Sequence, residues 1–246
     1  MVTDCSDMAY SEMRGVILKI LRENGRENDI EIEPVVAVKP MSIMNGSFVL
    51  RLMAEVYPSG TIFAALVNPM KERPARIFGK TRKNNFIFMG TNTGFLDWFL
   101  HDFGIGALYE LNDPGFFPFG AKYVHSPTIA KLAMDAPFEE LGKPFDEKKL
   151  VKLNLEEGTI LHIDNFGLMK IFGKLPEAND GDKFKISTGS KEFVATYSKR
   201  MMSLETGEWV IYPGSSFGFP ELGKVRENGA WVLGLDVGDR VFFEKQ

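Results

Sequence analysis

The sequence predicts two domains: an α/β domain with a mainly parallel sheet, and a small C-terminal domain that is an all-β barrel. The chain has 246 residues, of which 44% are apolar, enough to form two cores. Its first half alternates helical patterns with apolar strand-like runs, which is typical of α/β domains. Its second half contains short strand-like runs separated by glycine and proline. We therefore place the α/β domain at residues 1–140, a linker at 141–153 and the β-barrel domain at 154–246.

Helix and strand patterns alternate along the first domain. Apolar residues at spacings of three and four predict a helix over 9–24, with Ser6 or Asp7 as its cap. The nearly continuous apolar run at 61–67 predicts a strand buried on both faces. The other predicted elements are a strand over 29–38, a helix over 41–57, a hairpin over 77–89 and a helix over 126–135. Strands separated by helices indicate a parallel sheet.

Short strands bounded by turn residues are predicted throughout the second domain. They lie at 158–163, 183–186, 193–197, 208–212, 230–235 and 240–243. Short strands spaced by glycine and proline indicate a small barrel or sandwich, and of the two we predict the barrel.

Charge and composition argue against several classes of function. The net charge is -4, from 29 basic and 33 acidic residues, so no positive field attracts nucleic acid. The single cysteine, Cys5, forms no internal disulfide and fits a reducing compartment, so we expect a cytoplasmic protein. No apolar run reaches the roughly 18 residues of a membrane span, and Asp4 and Asp7 do not suit a signal peptide. We expect no membrane association.

Sequence motifs for metal ions and nucleotide cofactors are missing from the chain. His101, His125 and His162 have no partner at the i+4 spacing that would indicate a metal site on a helix. The chain has no phosphate-binding loop, no Gly-x-Ser-x-Gly elbow and no strand-linked Gly-x-Gly-x-x-Gly. We therefore expect neither a metal site nor a cofactor.

Polar residues at strand ends are the general candidates for a site, because open α/β sheets bind ligands at the carboxyl ends of their strands. Asp4, Asn68 and Asp164 fit this description. The carboxylate of Asp4 precedes the first helix and either accepts two hydrogen bonds from a ribose diol or caps that helix. Asp164 lies in the stretch 163–167, whose pattern also forms simple turns.

Two further segments combine possible ligand contacts with turn residues. The aromatic residues of 116–119, together with Tyr123, either stack on a purine or pack between domains. The segment 215–218, before Glu221, offers hydroxyl and backbone donors for an amino-acid carboxylate, or forms a plain turn. The residues alone leave both alternatives open.

Six motifs in a fixed order resemble those of the S-adenosylmethionine (SAM) hydroxide adenosyltransferases, relatives of the SAM-dependent fluorinases and chlorinases. Together they cover nearly the whole chain. The motifs are Thr3-Asp4 with 10–16, Gly46-Ser47-Phe48-Val49-Leu50, Tyr57-Pro58-Ser59-Gly60-Thr61, Val67-Asn68-Pro69, Ile163-Asp164-Asn165-Phe166-Gly167, and Ser216-Phe217-Gly218 with Glu221-Leu222 and 234–239.

The resemblance implies a fold, an assembly and a reaction. It implies an N-terminal α/β domain, a C-terminal β-barrel, and a homotrimer with each site between the N-domain of one subunit and the C-domain of its neighbour. The reaction is nucleophilic displacement at the ribose C5′ of SAM. It yields L-methionine together with adenosine when water attacks, or with a 5′-haloadenosine when a halide attacks. SAM is then the substrate or ligand, and alignment and desolvation of the nucleophile are the protein's main tasks.

The resemblance also assigns roles to residues of this chain. It implies that Asp4 holds the ribose hydroxyls and that Asp164 faces the methionine ammonium. Ser216 is expected to contact the methionine end, and Phe217 and Glu221 belong to the same ligand-binding motif. Asn68 stands at the position that holds the nucleophile. Of the two arginines that follow, Arg73 and Arg76, we favour Arg76 as the catalytic cation.

The chain departs from the family pattern at several site positions. Asn68 replaces an aspartate, and an amide cannot accept a proton as a general base. Gly120 replaces a histidine, and His125, five residues later, is not expected to take its place. Lys122 keeps only a positive charge. The other departures are Leu168 at an asparagine position that contacts adenine, and Asn92-Thr93 at an Asp-Asn pair.

Three hypotheses follow. The first is hydrolysis of SAM to adenosine and L-methionine, with Asn68 orienting the nucleophile and Arg76 or Lys122 supplying positive charge. The second is a non-catalytic protein that binds SAM or adenosine, because loss of a general base lowers a rate by about 10²–10⁴. The third is a structural trimer with a vestigial cleft.

Overall fold

In the computed structural model, residues 1–67, 74–112 and 115–246 are described. They form two compact units, Met1–Leu153 and Asn154–Gln246. The strands of the first unit are β1 (Val2–Thr3), β2 (Val36–Ala37), β3 (Ile62–Leu66), β4 (Arg76–Thr81), β5 (Ile87–Thr91), β6 (Ile105–Leu111) and β7 (Gly142–Pro144). Its α-helices are α1 (Met8–Glu23), α2 (Ile43–Val56), α3 (Asp97–Phe103), α4 (Ser126–Ala133) and α5 (Phe138–Leu141). A π-helix, Ala121–His125, leads directly into α4.

The sheet of the first unit is mixed, whereas the sequence predicted a mainly parallel one. Its strand order is β2-β1-β3-β5-β4-β6-β7. The neighbouring strands β2, β1, β3 and β5 pair in parallel. The remaining strands, β4, β6 and β7, pair antiparallel with their neighbours. The predicted hairpin explains the difference, because Asn84 and Asn85 adopt left-handed conformations that turn the chain back after β4. A tight turn of this kind can join only antiparallel strands.

Helices cover both faces of this sheet. Met13, Ile17 and Leu21 of α1 pack against α4 and against Ala64 of β3. The neighbouring residue on β3, Phe63, packs edge to face with Phe99 of α3 on the other face, since successive strand residues point to opposite sides. The prediction that this strand is buried on both faces is therefore confirmed.

The segment predicted as a linker, 141–153, includes strand β7, which pairs with β6. Its last residues are also held in the first unit. The side chain of Asn92 donates to the carbonyl of Lys149 and accepts from the N–H of Val151. The carboxylate of Asp97 accepts from the N–H of Leu153.

The second unit is a curled, seven-stranded sheet. Its elements are β8 (Ile160–Ile163), β9 (Met169–Ile171), β10 (Lys183–Thr188), β11 (Glu192–Tyr197), β12 (Trp209–Pro213), β13 (Pro220–Lys224), α6 (Gly229–Leu233) and β14 (Val241–Lys245). The strand order is β14-β10-β11-β12-β13-β9-β8, and only β11 and β12 are parallel neighbours among these strands. An antiparallel bridge between Thr159 and Arg240 links the flanks of the two edge strands, which gives the sheet a barrel-like closure at one end.

One predicted strand, at 230–235, is instead the helix α6. The side chain of Asn228 accepts a hydrogen bond from the N–H of Trp231, which caps the helix at its start. Gly234 ends the helix in a left-handed conformation. A short apolar run does not distinguish a buried strand from a short helix, so the caps decide. None of the helices in the described parts of the chain is long and apolar enough to cross a membrane.

Two glycines give opposite expectations for the same substitution. A Cβ on Gly79 of β4 would lie 2.0 Å from the carbonyl oxygen of Ala107, so Gly79→Ala is expected to destabilise the protein by roughly 3 kcal/mol. Gly15 lies on the exposed face of α1 with nothing within 4 Å, so Gly15→Ala is expected to stabilise it by about 0.5–1 kcal/mol. Urea unfolding of both variants measures the change in the free energy of unfolding. Equal changes in the two variants would contradict the close approach of β4 and β6 at Gly79.

Candidate functional site

The parallel strands of the first unit place Asp4 at the carboxyl edge of their sheet. Asp4 directly follows β1, whose neighbours are β2 and β3. One carboxylate oxygen accepts a hydrogen bond of 2.9 Å from the N–H of Met41, and the other lies 3.8 Å from the Cys5 thiol. Asp7, rather than Asp4, caps α1, because its side chain accepts from the N–H of Ala9. Helix capping therefore does not explain Asp4.

Arg76 lies at the same edge of the sheet. It begins β4 and pairs with Thr91, the last residue of β5, because these two strands are antiparallel. Its guanidinium lies 3.6 Å from the position that a Cβ on Gly120 would occupy. A side chain at position 120 would therefore contact this cation, and glycine supplies none.

The π-helix brings His125 back against Gly120. The Nδ1 atom of His125 lies 3.1 Å from the carbonyl oxygen of Gly120, five residues earlier. The imidazole is buried, with 6% of the residue exposed. Burial lowers the pKa of His125 to about 4, and the charge of Arg76 acts in the same direction, whereas the bond to Gly120 opposes it. The ring is therefore neutral at pH 7.

The neighbouring Lys122 does not share this position. Its ammonium lies 2.6 Å from a carboxylate oxygen of Glu12 on α1 and 5.1 Å from the ring centre of Tyr123. Tyr123 stacks in turn on Phe117 at 5.8 Å, and both rings are partly exposed. Of Arg76 and Lys122, Arg76 is the one next to Gly120 and His125.

Two residues singled out in the sequence, Asn68 and Arg73, lie outside the described residues. Their predicted roles therefore remain predictions. The described chain resumes at residue 74, two residues before Arg76.

A cavity of about 580 Å³ opens at the opposite edge of the same sheet. It is lined by residues at the amino ends of the parallel strands, among them Met1, Ile62 and Ile87. Its lining includes none of Asp4, Arg76 and His125. We locate the candidate site by the side-chain chemistry at the carboxyl edge, because a cavity alone does not identify the reacting groups.

In the second unit, Asp164 organises a tight turn after β8. One of its carboxylate oxygens accepts hydrogen bonds from the N–H groups of Phe166 and Leu168, at 2.9 and 3.0 Å. Gly167 of this turn has a φ of 78°, and a Cβ there would lie 2.0 Å from the side-chain oxygen of Asn228. The turn is thus fixed against the start of α6, and Asp164 has a structural role in it.

A row of polar side chains crosses four strands of the second unit. The backbone pairing places His162 of β8 opposite Lys170 of β9, Lys170 opposite Glu221 of β13, and Glu221 opposite Tyr212 of β12. Directly opposed residues point to the same face of a sheet, so the four side chains share one face. We call these four residues the polar row.

Burial and mutual contact perturb the groups of the polar row. Glu221 is 4% exposed and its carboxylate forms an ion pair with the ammonium of Lys170. Burial raises the pKa of Tyr212, and the neighbouring Glu221 raises it further. Burial and the charge of Lys170 lower the pKa of His162, while Asp164 opposes them. Glu221 is thus already engaged by a cation of its own unit.

Ser216 and Phe217 lie in the loop that joins β12 to β13. Ser216 is 3% exposed, and its carbonyl accepts the N–H of Phe219. Phe217 has a φ of 59°, which is unusual for a residue with a large side chain. A Cβ on Gly214 would lie 2.1 Å from Glu221, so the loop closely approaches the polar row.

The described site residues fall into two sets, one in each unit. The structure brings Asp4 and Arg76 to one sheet edge, and it places Asp164, Ser216, Phe217 and Glu221 in the second unit. Sequence reasoning missed Lys170 and Tyr212, because only the strand register shows that they flank Glu221. Gly120 and His125 are five residues apart, which is the spacing of a π-helical hydrogen bond. This spacing is the signal in the sequence that could have indicated their contact.

The buried ion pair generates one prediction. Lys170→Met leaves Glu221 buried without its cation and is expected to lower the free energy of unfolding by roughly 3–5 kcal/mol. The double change Lys170→Met with Glu221→Leu is expected to recover most of that loss. The exposed pair Lys185–Glu192 is the matched control, where Lys185→Met should change stability by about 0.5 kcal/mol or less. Urea unfolding of the four proteins measures this, and equal losses at both lysines would contradict it.

The buried histidine generates a second prediction. The unfolded chain takes up a proton on His125 near pH 6.5, whereas the folded chain resists protonation until about pH 4. Stability is therefore expected to fall as the pH drops from 6.5 to 4, by up to roughly 3 kcal/mol from this group. His125→Asn should remove that part of the slope. Unfolding free energies of both proteins at several pH values measure it, and identical slopes would contradict the prediction.

Comparison with known proteins identifies the family. A family model described as the SAM hydroxide adenosyltransferase N-terminal domain matches residues 1–142. An uncharacterized conserved protein from Thermotoga maritima has a similar structure, with a TM-score of 0.81 and 21% identity over 99% of this chain and 98% of that one. A conserved hypothetical protein from Thermus thermophilus gives a TM-score of 0.72 and 22% identity, covering 94% and 93% of the two chains.

These matches support different statements. At such identities the two solved structures show a shared fold and nothing more. No curated protein shows significant sequence similarity to this chain. The family model, by contrast, covers 142 of the 246 residues, including Asp4, Arg76 and His125. The chain therefore belongs to the family defined by the SAM hydroxide adenosyltransferase N-terminal domain.

Proposed function

We propose that this protein hydrolyses SAM to adenosine and L-methionine by displacement at the ribose C5′. The observation that carries the proposal is the placement of Asp4, within a domain of this family, at the carboxyl edge of the parallel strands, the edge of the sheet that also carries Arg76. Ligands of open α/β sheets bind at that edge. The sulfonium of SAM is already a good leaving group, so the protein needs mainly to align and desolvate the nucleophile.

Asp4 is the proposed ribose ligand. A carboxylate accepts about four hydrogen bonds, and here Met41 and the Cys5 thiol account for one donor on each oxygen. The remaining lone pairs suit the two hydroxyls of a ribose. The bond from Met41 fixes the orientation of the carboxylate before any ligand binds. This pre-orientation supports Asp4 as a binding residue.

Arg76 is the proposed catalytic cation, and Asn68 the proposed partner that orients the attacking water. A guanidinium stabilises negative charge that develops on an oxygen during attack. Lys122 is less suited to this role, because Glu12 holds its ammonium. The amide of Asn68 would donate to and accept from water without removing its proton.

The second unit supplies the proposed methionine site. Asp164 uses one carboxylate oxygen for its turn, and the other oxygen is the proposed acceptor for the methionine ammonium. Ser216 and Phe217 are proposed to contact the rest of the amino acid. Because Lys170 already pairs with Glu221, we propose that Glu221 acts by fixing the polar row beside this site.

We further propose that the protein works as a cytoplasmic homotrimer. The two residue sets lie in different compact units. In the assembly implied by the resemblance, the first unit of one subunit and the second unit of its neighbour would complete each site. Light scattering of the purified protein measures the oligomeric state.

A non-catalytic SAM or adenosine receptor is the alternative. The observation in its favour is Gly120, which places no side chain beside Arg76. Loss of a group that assists the nucleophile lowers a rate without removing the ligand contacts of Asp4. A receptor would bind SAM and leave it intact.

Incubation with SAM distinguishes the two functions. Hydrolysis predicts that adenosine and methionine appear in equal amounts, as measured by chromatography, in the absence of halide. A receptor predicts calorimetric binding of SAM or adenosine with no product above the uncatalysed background. A protein that neither binds nor converts SAM would contradict both.

Asp4→Asn is expected to weaken SAM binding by roughly 100-fold. The change keeps an acceptor for Met41 but removes the charge and one acceptor for the ribose, and hydrogen bonds to charged groups contribute about 1.5–3 kcal/mol each. Asp7→Asn is the matched control, because asparagine caps a helix as well as aspartate does. Titration calorimetry compares them. Similar affinities for both variants would contradict the role of Asp4.

A further inference from the structure

The cavity at the amino ends of the parallel strands has no part in the proposed reaction. Its volume of about 580 Å³ lies within the range of roughly 300–1,000 Å³ that is typical of small-molecule sites. Protein interiors are otherwise packed so closely that voids larger than a water molecule are few. Asp4 and Arg76 lie at the opposite edge of the sheet, and neither lines this cavity. The cavity is therefore large enough to hold a second ligand.

The walls of the cavity are mainly apolar. Ile62 and Ile87 begin the parallel strands β3 and β5 and are directly paired. Three helices contribute Ile17 of α1, Met53 of α2 and Leu132 of α4. Free energy is gained when an apolar group replaces water against such walls. The body of a ligand that fits this cavity is therefore apolar.

The segment 29–33, which we call the acidic strap, forms one side of the cavity. Its residues alternate between exposed acids and partly buried isoleucines, in the order Asp29, Ile30, Glu31, Ile32 and Glu33. Asp29 forms an ion pair with Arg26 before the strap. The hydroxyl of Tyr10 donates to the carbonyl of Glu33 at 2.6 Å. The strap thus adds its isoleucines to the apolar walls and its carboxylates to the rim.

The charged groups of the lining leave it negative. Among the described residues, the lining contains the three carboxylates of the acidic strap, the carboxylate of Asp135 and the guanidinium of Arg26. Arg26 already pairs with Asp29 and, at 3.8 Å, with Asp135. Burial lowers the pKa of the Met1 amino group, which also lines the cavity, and Glu33 opposes this effect. Even with that amino group charged, four carboxylates face two cations, so the rim favours a cationic ligand.

We infer that this cavity binds a small amphiphilic amine. The apolar body of the ligand lies against Ile62 and Ile87, and its protonated amine lies at the rim beside Glu31 and Glu33. An anion with the same apolar body is disfavoured, because it would meet like charges at the rim. The inference goes beyond the proposed function and does not depend on SAM hydrolysis, since the residues proposed for that reaction do not line the cavity.

Octylammonium is the test ligand, and methyl NMR of isoleucine side chains in the whole protein locates it. We expect octylammonium to shift the signals that disappear in Ile62→Val and in Ile87→Val. The signal of Ile186, in the second unit, is the control and should not move. Octanoate has a chain of the same length and a negative head, and we expect it to bind roughly tenfold more weakly or less. Butylammonium should bind roughly 100-fold more weakly, because it buries four fewer methylene groups.

Paired variants test the charge of the rim. Glu31→Gln with Glu33→Gln removes two carboxylates of the lining and is expected to weaken octylammonium binding by roughly tenfold at low ionic strength. Glu23→Gln with Glu27→Gln is the matched control, because both glutamates are exposed and neither lines the cavity. This control should weaken binding by less than about twofold. Urea unfolding checks that the two double variants are equally stable.

Several results would overturn the inference. Octanoate that binds as tightly as octylammonium would contradict a cationic ligand, as would equal weakening by the two double variants. Shifts confined to signals outside the cavity would contradict the location. An absence of binding, as when a second copy of the chain covers the cavity, would also overturn the inference. None of these results bears on SAM hydrolysis, which the incubation with SAM tests separately.

Discussion

The parallel pairing of β1 with β3, and of β3 with β5, determines which residues of the first unit share one edge of the sheet. Parallel strands end at a common edge, so Asp4 after β1 and Thr91 at the end of β5 lie on the same side of the sheet. The antiparallel return of β4 then adds Arg76 to that edge. A sheet with only parallel strands would start its next strand at the opposite edge. The mixed topology therefore puts the carboxylate and the cation on the same edge of the sheet.

Much of this fold follows from patterns that act locally. The helix predicted over 9–24 is α1, and the apolar run at 61–67 contains β3, because side-chain periodicity and burial determine both. The failures involve information beyond the local pattern. The run at 230–235 became a helix because Asn228 and Gly234 cap it. The antiparallel direction of β4 depends on the turn that follows this strand. The residues of a turn do not show where its two strands lie in the order of the sheet.

The candidate site was predictable in part. A polar residue after a strand locates Asp4 from the sequence, but its hydrogen bond to Met41 depends on the tertiary fold. The polar row was not predictable, because a shift of one residue in register would separate Lys170 from Glu221. His125 lies five residues from Gly120, and the sequence alone does not indicate that the two are in contact. The π-helix brings the two residues into contact, because it pairs residues that are five apart. A regular α-helix pairs residues that are four apart.

The central claim is that the carboxyl edge carrying Asp4, and not the cavity at the opposite edge, receives the nucleoside. A crystal structure of the protein with adenosine and methionine tests this most directly. The account predicts both ribose hydroxyls within hydrogen-bond distance of the Asp4 carboxylate, with C5′ directed toward Arg76. Adenosine bound instead in the cavity lined by Met1, Ile62 and Ile87 would contradict it.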